Sequence, residues 1–277
     1  MMQKLVSLGL LLVLFSTACN VTIGTVGEEV TEEINIPAPD TGDTIHFNLD
    51  YGIGDLKISP GSDQLVTGTA IYNINELKPK ITISGGTVNI RQGESNIRLF
   101  NPIGMVNKWE LLLGDAPIDM EIDAGAYKAE YDFGGLSITN LSIQDGASDV
   151  ELDFSAPNLI EMSLLRYETG LSNVSLNPLA NANFSNMQFE GGGGNYTLDF
   201  SGELKRDASI YIEAGLGSLV IYIPAGIPAE IKLESGLSNV SIPSNWTQDG
   251  NVYTQAGSGP TLSFVIQIGA GNLTVRE

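Results

Sequence analysis

Six glycines, Gly125, Gly146, Gly170, Gly192, Gly215 and Gly236, recur at intervals of roughly 22 residues, each within the same local pattern. The string GLSNVS stands in full at Gly170–Ser175 and again at Gly236–Ser241. Gly52, in DYGIGDLKI, and Gly269, in QIGAGNLTV, extend the series at either end. Four residues after these glycines stand Leu56, Ala129, Val150, Val174, Tyr196, Leu219, Val240 and Leu273. Three residues before them stand Leu49, Ile122, Ile143, Tyr167, Phe189, Ile212, Leu233 and Ile266. The positions six after and five before are apolar as well, from Ile58 to Val275 and from Phe47 to Phe264. Side chains alternate between faces along a strand, so each unit predicts two short strands with an apolar inner face, hinged at a glycine that adopts a bend closed to other residues.

A unit of this length with one apolar face cannot fold alone, but it can stack on copies of itself. The expectation is an all-β chain built as a parallel β-solenoid with rungs of about 22 residues, in which equivalent positions form ladders about 4.8 Å apart. A β-sandwich is the competing architecture, since short strands separated by frequent turns suit it too. The 32 glycines, which follow no triplet period, fit either. Three residues after the anchors the ladder reads Asp55, Lys128, Asp149, Asn173, Asn195, Ser218, Asn239 and Asn272, residues that suit turns and stacked amides.

Between Ser59 and Gly114 the rhythm is lost, although LVTGTAIYN and PKITISGGTVNIRQ still have strand character around Ser84-Gly85-Gly86. The expected organisation is a signal peptide over 1–19, a tether and first strand over 20–43, an N-terminal β cap over 44–114 and solenoid repeats over 115–277. The insertion from Asn245 to Gly259, with Trp246 and Tyr253, or else a partner, is expected to close the last rung.

The signal peptide is legible in Lys4, the apolar run Leu5–Phe15 and the small residues before Cys19. The ending STAC resembles the lipobox of bacterial lipoproteins, which implies lipidation of Cys19 and an extracytoplasmic protein held on the cell membrane by its acyl chains. Cys19 is the only cysteine, so no disulfide can form within the chain. With 33 acidic against 13 basic residues the formal charge is −20, which repels phosphate backbones and excludes nucleic acid as a partner.

DYGIGDLKISPGSDQLVTGTAIYN, followed by PKITISGGTVNIRQ, resembles the N-terminal domain of the toast-rack family, and rungs such as ITNLSIQDGASDVELDF resemble its C-terminal repeats. These are similar to adhesin-type domains and to the extracytoplasmic domain of cell-wall-antibiotic-response regulators. The resemblance implies a β-solenoid on the cell envelope and assigns no catalytic residue.

The inventory for catalysis is thin. His46 is the only histidine, which excludes a Ser-His-Asp triad and any multi-histidine metal site. Carboxylates alternate in Asp119-x-Glu121-x-Asp123 and in Asp149-x-Glu151-x-Asp153. A glycosidase reading would need Arg91, Arg98, Arg166 or Arg206 to face such a pair in a cleft. The chain is therefore expected not to be an enzyme and to need no cofactor. Two residues before the anchors the ladder reads Asp50, Asp123, Gln144, Glu168, Glu190, Glu213, Glu234 and Gln267. Consecutive outward Glu168, Glu190, Glu213 and Glu234 repel one another, and their retention makes them the candidate binders of Ca²⁺ or a basic partner. The leading expectation is a lipid-anchored, non-enzymatic surface protein serving adhesion or binding, with an envelope protein or polysaccharide as partner. The alternative is an envelope-stress sensing or regulatory module.

Overall fold

The computed structural model describes residues 26–39, 44–93 and 103–277, with the side chains of 235–238 excepted. Cys19 and Arg98 lie outside the described residues. In chain order the strands are β1 (Val30–Ile36), β2 (Ile45–Pro60), β3 (Val66–Tyr72), β4 (Pro79–Ser84), β5 (Thr87–Gln92) and β6 (Asn107–Leu113). There follow β7 (Ile118–Asp132), β8 (Ile138–Asp153), β9 (Met162–Asn177), β10 (Phe184–Asp199) and β11 (Ala208–Tyr222). The series ends with β12 (Ala229–Ser241), β13 (Thr247–Asp249), β14 (Val252–Gln255) and β15 (Leu262–Arg276).

The chain is all-β, and the long strands pair in parallel from β2 through β7, β8, β9, β10 and β11 to β15 and β12. Each long strand is one rung whose two arms meet at the anchor glycine. On β9 the first arm buries Leu165, Tyr167 and Thr169 and the second buries Ser172, Val174 and Leu176. The buried parity therefore changes at Gly170-Leu171, where the strand turns and takes up an extra residue. The apolar columns converge between the arms as one core, where Phe189 of the first arm meets Tyr196 of the second edge-on, ring centres 5.1 Å apart.

The glycines are needed for a different reason from the one the sequence suggests. The anchors do not have positive φ; that conformation appears two residues later, at Gly54, Gly194 and Gly217. At the anchors the backbones of successive rungs approach too closely for a side chain. A Cβ on Gly170 would lie 2.3 Å from the carbonyl oxygen of Gly146, and one on Gly215 would lie 2.3 Å from that of Gly192. The corner is a column of glycines because each makes room for the next.

At the N-terminal end a split rung covers β2. β5 runs parallel to its first arm and β6 parallel to its second. β4 closes β5 as an antiparallel hairpin, while β3 and then β1 continue outward from β6. The side-chain oxygen of Gln92 accepts hydrogen bonds from the backbone N–H groups of Gly52 and Ile53, so a side chain serves the first corner where a rung would otherwise do so.

The other end departs from sequence order. β15 lies between β11 and β12, pairing in parallel with both. β12 is thus the outermost rung, and β14 adds antiparallel to its first arm only, over Ala229–Lys232. The insertion supplies this cover through the β13–β14 hairpin, and Trp246 beside it is buried. The last residues of the chain are interior to the stack rather than at its end.

Candidate functional site

The glycine corner brings the sequence-predicted acidic residues together on the first arm. Glu190 pairs in register with Glu168 on one side and with Glu213 on the other, so three glutamates stand about 4.8 Å apart on β9, β10 and β11. Glu234 is not the fourth. Gln267 of the inserted β15 lies between Glu213 and Glu234, and its amide donates to a Glu234 carboxylate oxygen at 3.1 Å. Gln144 bounds the run at the other end. Three consecutive acids are thus flanked on both sides by neutral amides.

The three carboxylates are held differently. Glu168 is ion-paired with Arg166 of its own strand, and Glu213 accepts a hydrogen bond from the Tyr211 hydroxyl at 3.1 Å. Glu190, between them, has neither a hydrogen bond nor an ion pair among the described residues. Glu234 is bound to Lys232 at 2.9 Å, which holds its carboxyl below the usual carboxylate range. Among the described residues no group of three or more His, Cys, Asp or Glu side chains converges as metal ligands would.

The other sequence-predicted basic residues that the structure describes pair separately, away from the acidic run. Arg91 meets Asp50, Arg206 meets Glu161, and His46 Nδ1 lies 3.2 Å from an Asp119 oxygen. Asp119, Glu121 and Asp123 line the outer face of β7, and Asp149, Glu151 and Asp153 that of β8, as alternation requires.

Beneath the corner lies a group that the outward columns do not reveal. Asp145 is 7% exposed and has no ion-pair partner among the described residues. Its carboxylate accepts hydrogen bonds from Tyr167 at 2.7 Å, Tyr127 at 3.3 Å, Ser172 at 3.4 Å and Thr169. Burial, and after it the charge of Asp145, pushes the Tyr167 phenol well above its ordinary value, so it remains a proton donor. The position directly before an anchor points inward, and an acidic residue there was the available signal.

On the outer side of the turn, immediately after the anchors, two large apolar side chains face solvent. Leu171 is 74% exposed and Leu216 is 63% exposed. They belong to β9 and β11, and Gly193 of β10 pairs in register with both. A shallow depression of about 490 Å³ lies over Gly193 between the two leucines. A second, of about 410 Å³, lies on the glutamate side of the same corner, lined by Glu168, Glu190 and Glu213. The leucines too were legible as apolar residues in an outward column.

A family model described as the N-terminal domain of toast_rack matches residues 25–163, half of the chain. No curated protein matches it in sequence. Among solved structures it is similar to a "putative cell adhesion protein" from Clostridium sporogenes, with 21% identity over 90% of this chain and 99% of that one and a TM-score of 0.54. It is more distantly similar to a "putative lipid binding protein" from Parabacteroides distasonis, at 14% identity over 91% and 98% of the two chains, TM-score 0.38. A "putative adhesin" from Bacteroides fragilis follows at 10% identity, 90% and 97% coverage and TM-score 0.35. At 21% identity the likeness to the first of these is one of fold.

Proposed function

The chain belongs to the toast-rack family, and on that premise we propose that it is a non-enzymatic binding scaffold of the bacterial cell envelope, lipid-anchored through Cys19 and displayed outside the cytoplasm. In this reading residues 44–114 act as the N-terminal cap and residues 115–277 as the displaying stack. The observation that supports it best is where the chemistry lies. The acidic run and the exposed leucines occupy the outer side of a stacked corner, while the interior between the arms is a closed apolar core. Catalysis depends on groups held in a water-excluding site within reach of one reacting atom. Here the carboxylates other than Asp145 stand on outer faces, where Arg91, Arg166 and Arg206 each serve a neighbouring acid. The buried Asp145 is occupied by the hydroxyls of Tyr127, Tyr167, Thr169 and Ser172. A repetitive open surface suits recognition of an extended partner. No helix of the described residues is long and apolar enough to cross a membrane, so attachment in this reading rests on acyl chains at Cys19.

Two measurements test this. Metabolic labelling with an acyl-chain probe should mark the wild-type protein and leave Cys19→Ala unlabelled and released from the membrane fraction; a membrane-bound, unlabelled wild type would overturn the anchor. Beads coated with the chain from Asn20 onward should retain cell-envelope material under washing that clears uncoated beads; equal retention by both would overturn the scaffold.

A further inference from the structure

We infer that the glycine corner of β9, β10 and β11 is a docking surface for a basic polypeptide segment that inserts one apolar side chain over Gly193 and sets lysine or arginine against Glu190. This rests on the scaffold reading and specifies its partner. Two independent columns coincide on the same three consecutive rungs. In the column two before the anchor, glutamate occupies β9, β10 and β11, with Gln144 and Gln267 on the rungs to either side. In the column one after it, the same rungs present Leu171, Gly193 and Leu216, whereas β7, β8 and β15 present Ala126, Ala147 and Ala270. Large leucines on both sides of a glycine form a notch about two strand spacings wide, roughly 10 Å. That admits one aliphatic or aromatic side chain.

The notch floor is a buried glycine, so an entering side chain would contact Leu171, Leu216 and backbone together. Leu171 and Leu216 are not the only exposed apolar side chains among the described residues, but they stand on either side of Gly193 and line one depression together. The charge beside them fixes the partner's sign. Glu168 and Glu213 already have partners on their own strands, whereas Glu190, centred on the notch, has none among the described residues. A cation placed there would also relieve the repulsion along the three carboxylates. An apolar anchor ringed by complementary charge is the arrangement of a binding hot spot, the anchor supplying affinity and the charges orientation.

Gly193 permits a clean test, because its φ is not positive and the one tight approach of an added Cβ would be to the end of the Leu171 side chain, at 3.1 Å, with Leu216 at ordinary contact distance. Gly193→Ala should fold and fill the notch. The probe is a short labelled peptide with one leucine flanked by lysines, and a second with glycine for the leucine, titrated by fluorescence anisotropy at low salt. The leucine peptide should bind at least about tenfold more tightly than the glycine peptide. Gly193→Ala should weaken it about fivefold and Glu190→Lys about tenfold, with melting temperatures unchanged and Glu130→Lys on the second arm without effect. Equal binding of the two peptides, indifference to Gly193→Ala, or no binding at millimolar peptide would overturn the inference. So would concentration-dependent dimerisation in sedimentation velocity that Gly193→Ala abolishes, which would make a second copy the occupant. Retention of envelope material that survives both variants would remove this site while leaving the scaffold reading standing.

Discussion

Val174 and Val240 occupy the same place in two identical hexapeptides, yet Val174 is 3% exposed and Val240 is 36% exposed. The difference lies in what stands beside them. Val174 is on β9, flanked in register by Val150 of β8 and Tyr196 of β10. Val240 is on the outermost rung, with Leu273 on one side, and β14 does not reach its arm. Val174→Asp should therefore place a carboxylate in the core and cost about 3 kcal/mol or more. Val240→Asp should cost under about 1 kcal/mol. Urea denaturation of the two variants checks the contrast, and equal losses would mean that β12 is not the end of the stack.

The close approach of successive corners predicts an unusual sensitivity to a single methyl group. Gly170→Ala and Gly215→Ala force a shift against backbone and should destabilise by about 1–3 kcal/mol. Gly52→Ala should be nearly neutral, because the nearest atoms to its added Cβ belong to the Gln92 side chain, 3.4 Å away. If strain in φ were the reason for the anchors, all three would suffer alike.

Asp145→Ala removes the acceptor shared by Tyr167, Tyr127, Thr169 and Ser172 and leaves buried hydroxyls unmatched. A loss of about 2–4 kcal/mol is expected from the desolvation of donors without partners. The near-ultraviolet circular dichroism of the tyrosines should change along with the denaturation midpoint, which a surface aspartate variant would not produce.

Asp153 gives a pH dependence of definite sign. Burial raises its carboxyl, Asp132 on the adjacent rung raises it further, and Asn177 partly offsets them. A folded-state pKa above the unfolded value contributes stability that is present at low pH and lost as pH rises through the folded value. At neutral pH Asp153 is therefore a small liability, and Asp153→Asn should melt about 1 °C higher. The gap should close as the pH falls through the raised pKa of Asp153, because the protonated acid then resembles the amide. Glu161 has the opposite sign. Its hydrogen bonds to Arg206 and Ser185 hold the carboxyl low, so its contribution is lost in acid.

Much of this architecture was legible in the sequence because the rung alternates in a simple way about a fixed glycine. The inward columns from Phe47 to Phe264 and from Ile58 to Leu198 are buried as alternation requires. Strand order at the end was not legible. Gly236 and Gly269 offer the Gly215 corner the same local pattern of apolar columns, and the long insertion between them permits either order. The exchange changes the acidic run from four to three. The site was half legible: glutamates in a row attract notice at once, whereas Leu171 and Leu216 become a notch only when Gly193 is known to lie between them.

The insertion of β15 between β11 and β12 sets a problem of timing. β12 is synthesised before β15, and at that moment the bare edge of β11 is a matching template for it. Docked there it would satisfy the same glycine corner and the same apolar columns, and would have to be displaced when its successor arrives. Refolding from urea should therefore show a slow phase that replacement of β15 by an unrelated linker abolishes, since the competition for β11 then disappears.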